Sequence, residues 1–335
     1  MPESKSDASS PLDSQGFRPA WWLPGPHVQT IWGSLTRSRR LVRFRRELLE
    51  APDGDELVLD HVDAVEGRRP DARLILLHGL EGSSTSNYAR ALMHAVGAIG
   101  WRGVVPHFRG CGGETNRLPR AYHSGDHAEI GAMLAAIRAR VPPETTVFAV
   151  GVSLGGSALL NWLGRVQGDA SRVVAAAATA STPLDLAAAG FSIDVGLNKI
   201  YSYHFLRTLK PKSVAMSRRF PGLIDAKRVR ATRTMRAFDD VVTAPLHGFA
   251  DAMDYWTRGS SKPWLKSIAL PTLVINAEND PFIPARSLAS ANDASRDVII
   301  ERPSHGGHGA FPQGPFPGNV DWLPQRVLHF FRSGV

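Results

Sequence analysis

Four side chains in this sequence have the types and settings for nucleophilic chemistry: Ser153, Asp280, His305 and His308. A serine hydroxyl is a weak nucleophile. It needs a base to take its proton, a group to orient the base, and amide donors for the oxyanion that forms. Ser153 lies in Gly151-Val152-Ser153-Leu154-Gly155, the pattern G-x-S-x-G. Before it, Thr146 to Val150 is an apolar, β-branched run of buried-strand length. After it, Ala158, Leu159, Trp162 and Leu163 share one helical face. A sharp strand-to-helix turn lifts the serine clear of a sheet, and the glycines let the backbone close. The Leu154 N–H, at the helix start, then points where an oxyanion would form.

Asp280 follows the apolar run Thr272 to Asn276 and precedes Pro281. It is the expected acid, with Asp251, Asp254 and Glu278 as rivals. The base is expected in Ser304-His305-Gly306-Gly307-His308-Gly309, which offers two imidazoles. His308, set between glycines, is preferred to His305. The order serine, acid, histidine, each after a strand, is one of the arrangements in which this chemistry recurs. A second oxyanion donor is expected from the loop after the Arg73–Leu77 strand, at the N–H of Leu80.

The elements that must position these residues alternate between the two periodicities. Strands are expected at Arg73–Leu77, Gly103–Phe108, Thr146–Val150, Val173–Ala178, Thr272–Asn276 and Val298–Ile300. Helices are expected from about Ser86 to Gly100, Asp126 to Arg140 and Val320 to Phe331. Val42–Glu50 and Glu56–Val62 flank Pro52-Asp53-Gly54-Asp55, a hairpin signal. Alternation of this kind predicts an α/β fold, a mostly parallel sheet with helices on both faces. Ligands then bind beyond the carboxyl ends of the strands, where His78, Ser153, Asp280 and His308 all fall.

Two stretches depart from the alternation. Phe17 to Ile31 carries three prolines and a paired Trp21-Trp22, which argues against a long helix and for a strap over the domain. From about 182 to 266 the sequence reads as a helical cap inserted between two strands. Within it, Asp225 is the single acid from Lys199 to Arg236, among eleven lysines and arginines. A solvated face is the plain reading of that run; attraction of an anionic substrate or of a membrane surface is the functional one.

Composition sets the outer bounds. Hydrophobic residues make up 43% and charged residues 21%, ordinary for a globular protein. Residues 1–16 are rich in Ser, Asp and Pro and read as a disordered tail, leaving 17–335 as the folded domain. No apolar run approaches a membrane span. One cysteine, Cys111, excludes an internal disulfide and suggests a reducing, cytoplasmic setting. The net charge of +8 comes without a nucleic-acid motif, so no nucleic-acid partner is expected. His123 and His127, like His305 and His308, have helical spacing, but no H-E-x-x-H pattern or cysteine set accompanies them. Neither a metal nor another cofactor is expected.

Taken together, the His78-Gly79 loop, the Gly151–Gly155 turn, Asp280 and His308 resemble the α/β-hydrolase superfamily. Five further stretches resemble its YheT-like branch of hydrolases and carboxylesterases: Pro26-His27-Val28-Gln29-Thr30, His78-Gly79-Leu80-Glu81-Gly82-Ser83-Ser84, Tyr122-His123-Ser124-Gly125, Phe238-Asp239-Asp240 and Asn279-Asp280-Pro281-Phe282. The resemblance implies a catalytic triad of Ser153, Asp280 and His308 acting on an acyl ester. Eukaryotic relatives of the branch act on lipid or medium-chain esters. The expectation is a carboxylesterase for short- or medium-chain esters, with peripheral membrane contact open. An acyltransferase using the same triad and a non-catalytic binding protein on the same fold are the alternatives.

Overall fold

Strand β5, Thr146–Val152, lies inside an eight-stranded sheet and delivers the chain to Ser153. The computed structural model describes residues 16–35, 42–51, 53–63 and 72–333. The other strands are β1 (Arg45–Glu50), β2 (Glu56–Val62), β3 (Ala72–Leu77), β4 (Arg102–Pro106), β6 (Ala176–Ala180), β7 (Thr272–Ile275) and β8 (Val298–Glu301). Their spatial order is β1-β2-β4-β3-β5-β6-β7-β8. β2 is antiparallel to both β1 and β4, and every pair from β4 to β8 is parallel. The parallel strands therefore share one carboxyl edge, as the alternation predicts.

Side-chain alternation explains why helices cover both faces. In β3, Ile75 and Leu77 enter one core and Leu74 and Leu76 the other. In β5, Val147 and Ala149 face the first core, while Phe148, Val150 and Val152 face the second. Helices α3 (His127–Arg138) and α4 (Leu154–Val166) supply Ile130, Met133, Leu134, Leu159 and Leu163 to the first core. Helices α2 (Asn87–Ala98) and α11 (Trp322–Arg332) supply Met93, Val96, Val327 and Phe331 to the second. Each fully buried Leu or Ile contributes roughly 1.5–3 kcal/mol, so the sheet is held from two sides. Asp126 starts α3 by accepting a hydrogen bond from the Glu129 N–H.

The remaining helices are α1 (Pro26–Leu35), at the amino-terminal side, and six between β6 and β7: α5 (Leu186–Ile193), α6 (Lys199–Arg219), α7 (Ala226–Ala231), α8 (Met235–Phe238), α9 (Ala244–His247) and α10 (Ala252–Gly259). A π-helical turn, Asp239–Thr243, joins α8 to α9.

Several expectations shift in detail. The stretch from Phe17 is an irregular strap only as far as Gly25, and a ten-residue helix follows. Pro26 is its first residue, in the first turn, where a missing N–H costs no helical hydrogen bond. Strand β6 lies at Ala176–Ala180 rather than 173–178, because a 3₁₀ segment over Gln167–Arg172 and a turn at Val173 come first. Gly156 of α4 lies close against the segment that follows this strand: a Cβ there would meet the Thr182 Oγ1 at 2.1 Å. The expected tail, apart from Gly16, and Pro52 lie outside the described residues.

Candidate active site

Ser153 sits between the end of β5 and the start of α4 with φ 54° and ψ −121°. That left-handed conformation costs a non-glycine residue about 1–3 kcal/mol. Two neighbours make the turn possible by lacking side chains. A Cβ on Gly151 would lie 2.6 Å from the Gly155 carbonyl oxygen, and one on Gly155 would lie 2.4 Å from the carbonyl oxygens of Leu77 and His78. Burial of every residue from Leu154 to Gly164 pins the helix against the sheet and holds the strained turn in place.

The structure brings three of the four candidate side chains together. The Ser153 hydroxyl is 2.9 Å from His308 Nε2, and His308 Nδ1 is 2.8 Å from Asp280 Oδ2. An ionised carboxylate can only accept, so Nδ1 carries the imidazole proton and Nε2 is left to accept from the serine. The Asp280 side chain is fully shielded from solvent and that of His308 is 12% exposed. The Phe282 N–H donates to the other Asp280 oxygen at 2.8 Å, and the Phe282 ring stacks on the His308 ring at 4.1 Å. His305 is elsewhere, exposed and bonded to the Ser304 hydroxyl. The rival acids are also occupied: Glu278 pairs with Arg302, Asp254 with Arg258, and Asp251 caps α10.

The loop bearing His308 is held from α1. Thr30 Oγ1 accepts from the His308 N–H at 2.9 Å and donates to the Pro26 carbonyl at 2.8 Å. Gln29 Oε1 accepts from the Gly306 N–H and from the Asn279 side chain, whose own oxygen accepts from the Gly307 N–H. The Ser181 hydroxyl accepts from the Gly309 N–H at 2.8 Å. Gln29 and Thr30 gave no chemical signal in the sequence beyond standing in one of the resembling stretches. Their role is visible only where α1 meets the loop.

The loop after β3 is fixed as tightly. His78, fully buried, donates from Nδ1 to the Gly79 carbonyl at 2.8 Å and accepts at Nε2 from the Phe108 N–H. Burial drives its pKa down to about 3, so the ring is neutral. The Gly79 N–H donates to the Tyr88 hydroxyl and the Glu81 N–H to the Tyr122 hydroxyl, both at 2.8 Å. Among the described residues, nothing accepts from the amide between them, that of Leu80. Glu81 adopts φ 55°. Its carboxylate accepts from the Tyr122 hydroxyl at 2.9 Å and pairs with Lys212 of α6 at 2.8 Å. Leu154 opens α4, so its amide is in the first turn, where no helical carbonyl reaches.

A cavity of about 480 Å³ opens beside Ser153. Leu80 and Leu154 line it from the sheet side, and Ile193, Phe205, Leu209 and Met216 from α5 and α6. Arg109 also reaches it but is engaged by Asp53, Asp55 and Glu129 at 2.6–2.8 Å, so it offers no free charge. Buried Asp239 accepts from Thr243 and from the Trp256 indole, and burial pushes its pKa up to about 6. Cys111 lies outside the turn, and burial raises its thiol pKa to about 11, the wrong direction for a nucleophile. The His123 and His247 rings lie 4.4 Å apart, tilted at 52°, and desolvation lowers the pKa of both to about 4. Among the described residues, no group of three or more potential ligands is placed to hold a metal ion.

Residues 72–315 match the family model described as the alpha/beta hydrolase fold. The chain is 36% identical over 326 residues to the Escherichia coli protein named "Putative esterase YheT", covering 96% of this chain and 94% of that one. It is 29% identical over 336 residues to mouse "Phospholipase ABHD3", covering 97% of this chain and 80% of the relative. Among solved structures, an esterase from Exiguobacterium antarcticum superposes with TM-score 0.55 at 14% identity, over 86% of this chain and all of the other. That likeness speaks for the fold. The mostly parallel sheet, the Ser153 turn and the identity along nearly the whole chain agree: this protein belongs to the α/β-hydrolase superfamily, in its YheT-like branch.

Proposed function

We propose that the protein is a serine carboxylesterase for short- or medium-chain acyl esters, with Ser153, His308 and Asp280 as its catalytic triad. The observation that carries this is the unbroken relay of hydrogen bonds from the Ser153 hydroxyl through His308 to Asp280. Ser153 Oγ attacks the ester carbonyl while His308 Nε2 takes its proton. Asp280 keeps the imidazole in the correct tautomer and stabilises the imidazolium. The Leu80 and Leu154 amides donate to the oxyanion. The intermediate collapses, and His308 protonates the departing alkoxide. Water then attacks the acyl-serine with His308 again as base, which returns Ser153 and releases the acid.

The apolar walls of the cavity suit an acyl chain, and the segment 182–266 serves as its cap. The single cysteine favours a reducing, cytoplasmic setting. Labelling with a fluorophosphonate probe, followed by mapping of the modified peptide, tests the assignment. Modification at Ser153, lost with ester hydrolysis in Ser153→Ala, is the expected result. Ser153→Ala retaining more than a tenth of the wild-type rate would overturn it. Product analysis with added alcohol separates water from an alcohol as the acyl acceptor.

A further inference from the structure

Helix α6 has two faces with different surroundings. Phe205, Leu209 and Met216 point into the cavity. The outer face and the segment leading to it carry large apolar side chains with no cover. Val195 is 59% exposed, Leu197 69%, Ile200 60% and Tyr203 67%. Single exposed apolar residues are ordinary, but this many within nine residues of chain form a patch. A second exposed group, Val28, Ile31 and Leu35, lies on α1. The two helices meet where His27 stacks on Tyr201 and shares a 3.1 Å hydrogen bond with its hydroxyl.

Basic side chains lie beside this patch. Lys199 and Arg207 flank Tyr203 at spacings of four, on the same side of α6. From Lys199 to Arg236, only Lys212 forms an ion pair among the described residues. Arg218, Arg228, Arg230, Arg233 and Arg236 are exposed. The nearby acids are turned to local use: Asp194 accepts from Ser202 and from the Met235 and Arg236 amides, and Asp225 caps α7. Protruding apolar side chains beside Lys199 and Arg207, cations that form no ion pair among the described residues, complement an anionic lipid interface, which takes the first into its headgroup–acyl boundary and neutralises the second. A second copy of this chain would bring like charges together instead.

We propose that the outer face of residues 195–207 docks on anionic lipid bilayers, setting the cavity wall formed by α6 against the lipid surface. The association is peripheral, since no described helix is long and apolar enough to cross a membrane. It adds a surface to the proposed esterase without depending on turnover.

Sedimentation of the full chain with vesicles tests it, comparing phosphatidylcholine alone with phosphatidylcholine mixed with phosphatidylserine. Binding to the anionic vesicles, weakening with added salt, is expected. Leu197→Ser with Ile200→Ser should weaken it at least about tenfold. Lys199→Gln with Arg207→Gln should weaken it about fivefold for each charge removed. Both variants should keep their melting temperature and their turnover of a water-soluble short ester, which separates loss of docking from loss of fold or of chemistry. Failure of the wild-type protein to pellet with anionic vesicles would overturn the proposal. So would unchanged binding in both variants, or a solution dimer that Leu197→Ser with Ile200→Ser dissociates.

Discussion

The Thr30 hydroxyl accepts the backbone N–H of His308 across 278 positions of sequence, at 2.9 Å. The imidazole that meets Ser153 is thus located from a helix that contributes no group to the chemistry. Thr30→Val keeps the shape but leaves the His308 N–H without its acceptor, at a cost of about 1–3 kcal/mol. A shift of the ring by a fraction of an ångström should lower kcat roughly 10- to 100-fold while KM stays within about twofold. Thr30→Ser should restore most of the rate. Steady-state kinetics of the three proteins check this, and an unchanged kcat in Thr30→Val would mean that the loop supports itself.

His308 and His305 are separated by three positions, but only His308 reaches Ser153. His308→Ala should lower kcat about 10⁴-fold, and adding Ser153→Ala should cost little more, because the groups act as one unit. His305→Ala should leave activity nearly intact. An inactive His305→Ala beside an active His308→Ala would reassign the base.

Tyr122 ties the Glu81 backbone and carboxylate together and so fixes the loop that presents the Leu80 amide. Tyr122→Phe keeps the stacked ring against Phe108 but removes both hydrogen bonds. We expect kcat to fall about 10- to 100-fold with little change in KM, as for loss of transition-state stabilisation. If the variant instead raised KM at constant kcat, the loop would be a substrate-binding element and not an oxyanion support.

His78 is buried and His123 and His247 are half-buried, and desolvation holds their pKa values at about 3, 4 and 4 against an ordinary 6.5. The unfolded chain therefore binds protons that the folded one does not, and stability falls as pH drops below 6.5. Asp239 opposes this. Its folded pKa of about 6 lies above the ordinary 3.8, so it destabilises the fold increasingly as pH rises from about 4 to about 6. Three histidines outweigh one carboxyl, so the midpoint of urea unfolding should decline from pH 7 to pH 5. In His247→Asn that decline should be shallower by about two fifths. Parallel pH profiles for the two proteins would show that His247 titrates freely in the fold.

The sequence alone determined the sheet, the strained turn and the chain order of the candidate site. Those features rest on local chemistry: strand periodicity at Thr146–Val152, small residues at Gly151 and Gly155 where any Cβ would collide, and a short turn after each strand. It also favoured His308 over His305, whose side chain the fold leaves in solvent.

Only the tertiary structure decided which distant groups hold that site. Gln29 and Thr30 are ordinary polar residues in a proline-rich stretch until α1 packs beside the His308 loop. Tyr88 and Tyr122 reach the loop from outside it and accept from the amides on either side of Leu80. The basic run also divided by packing. Lys212 turns inward to Glu81, while Lys199 and Arg207 stay beside the exposed apolar face of α6. Periodicity reports which face of an element is apolar, because that depends on neighbours within a turn or two. It carries no record of which remote backbone amide a hydroxyl will meet, because that is settled when separate elements pack.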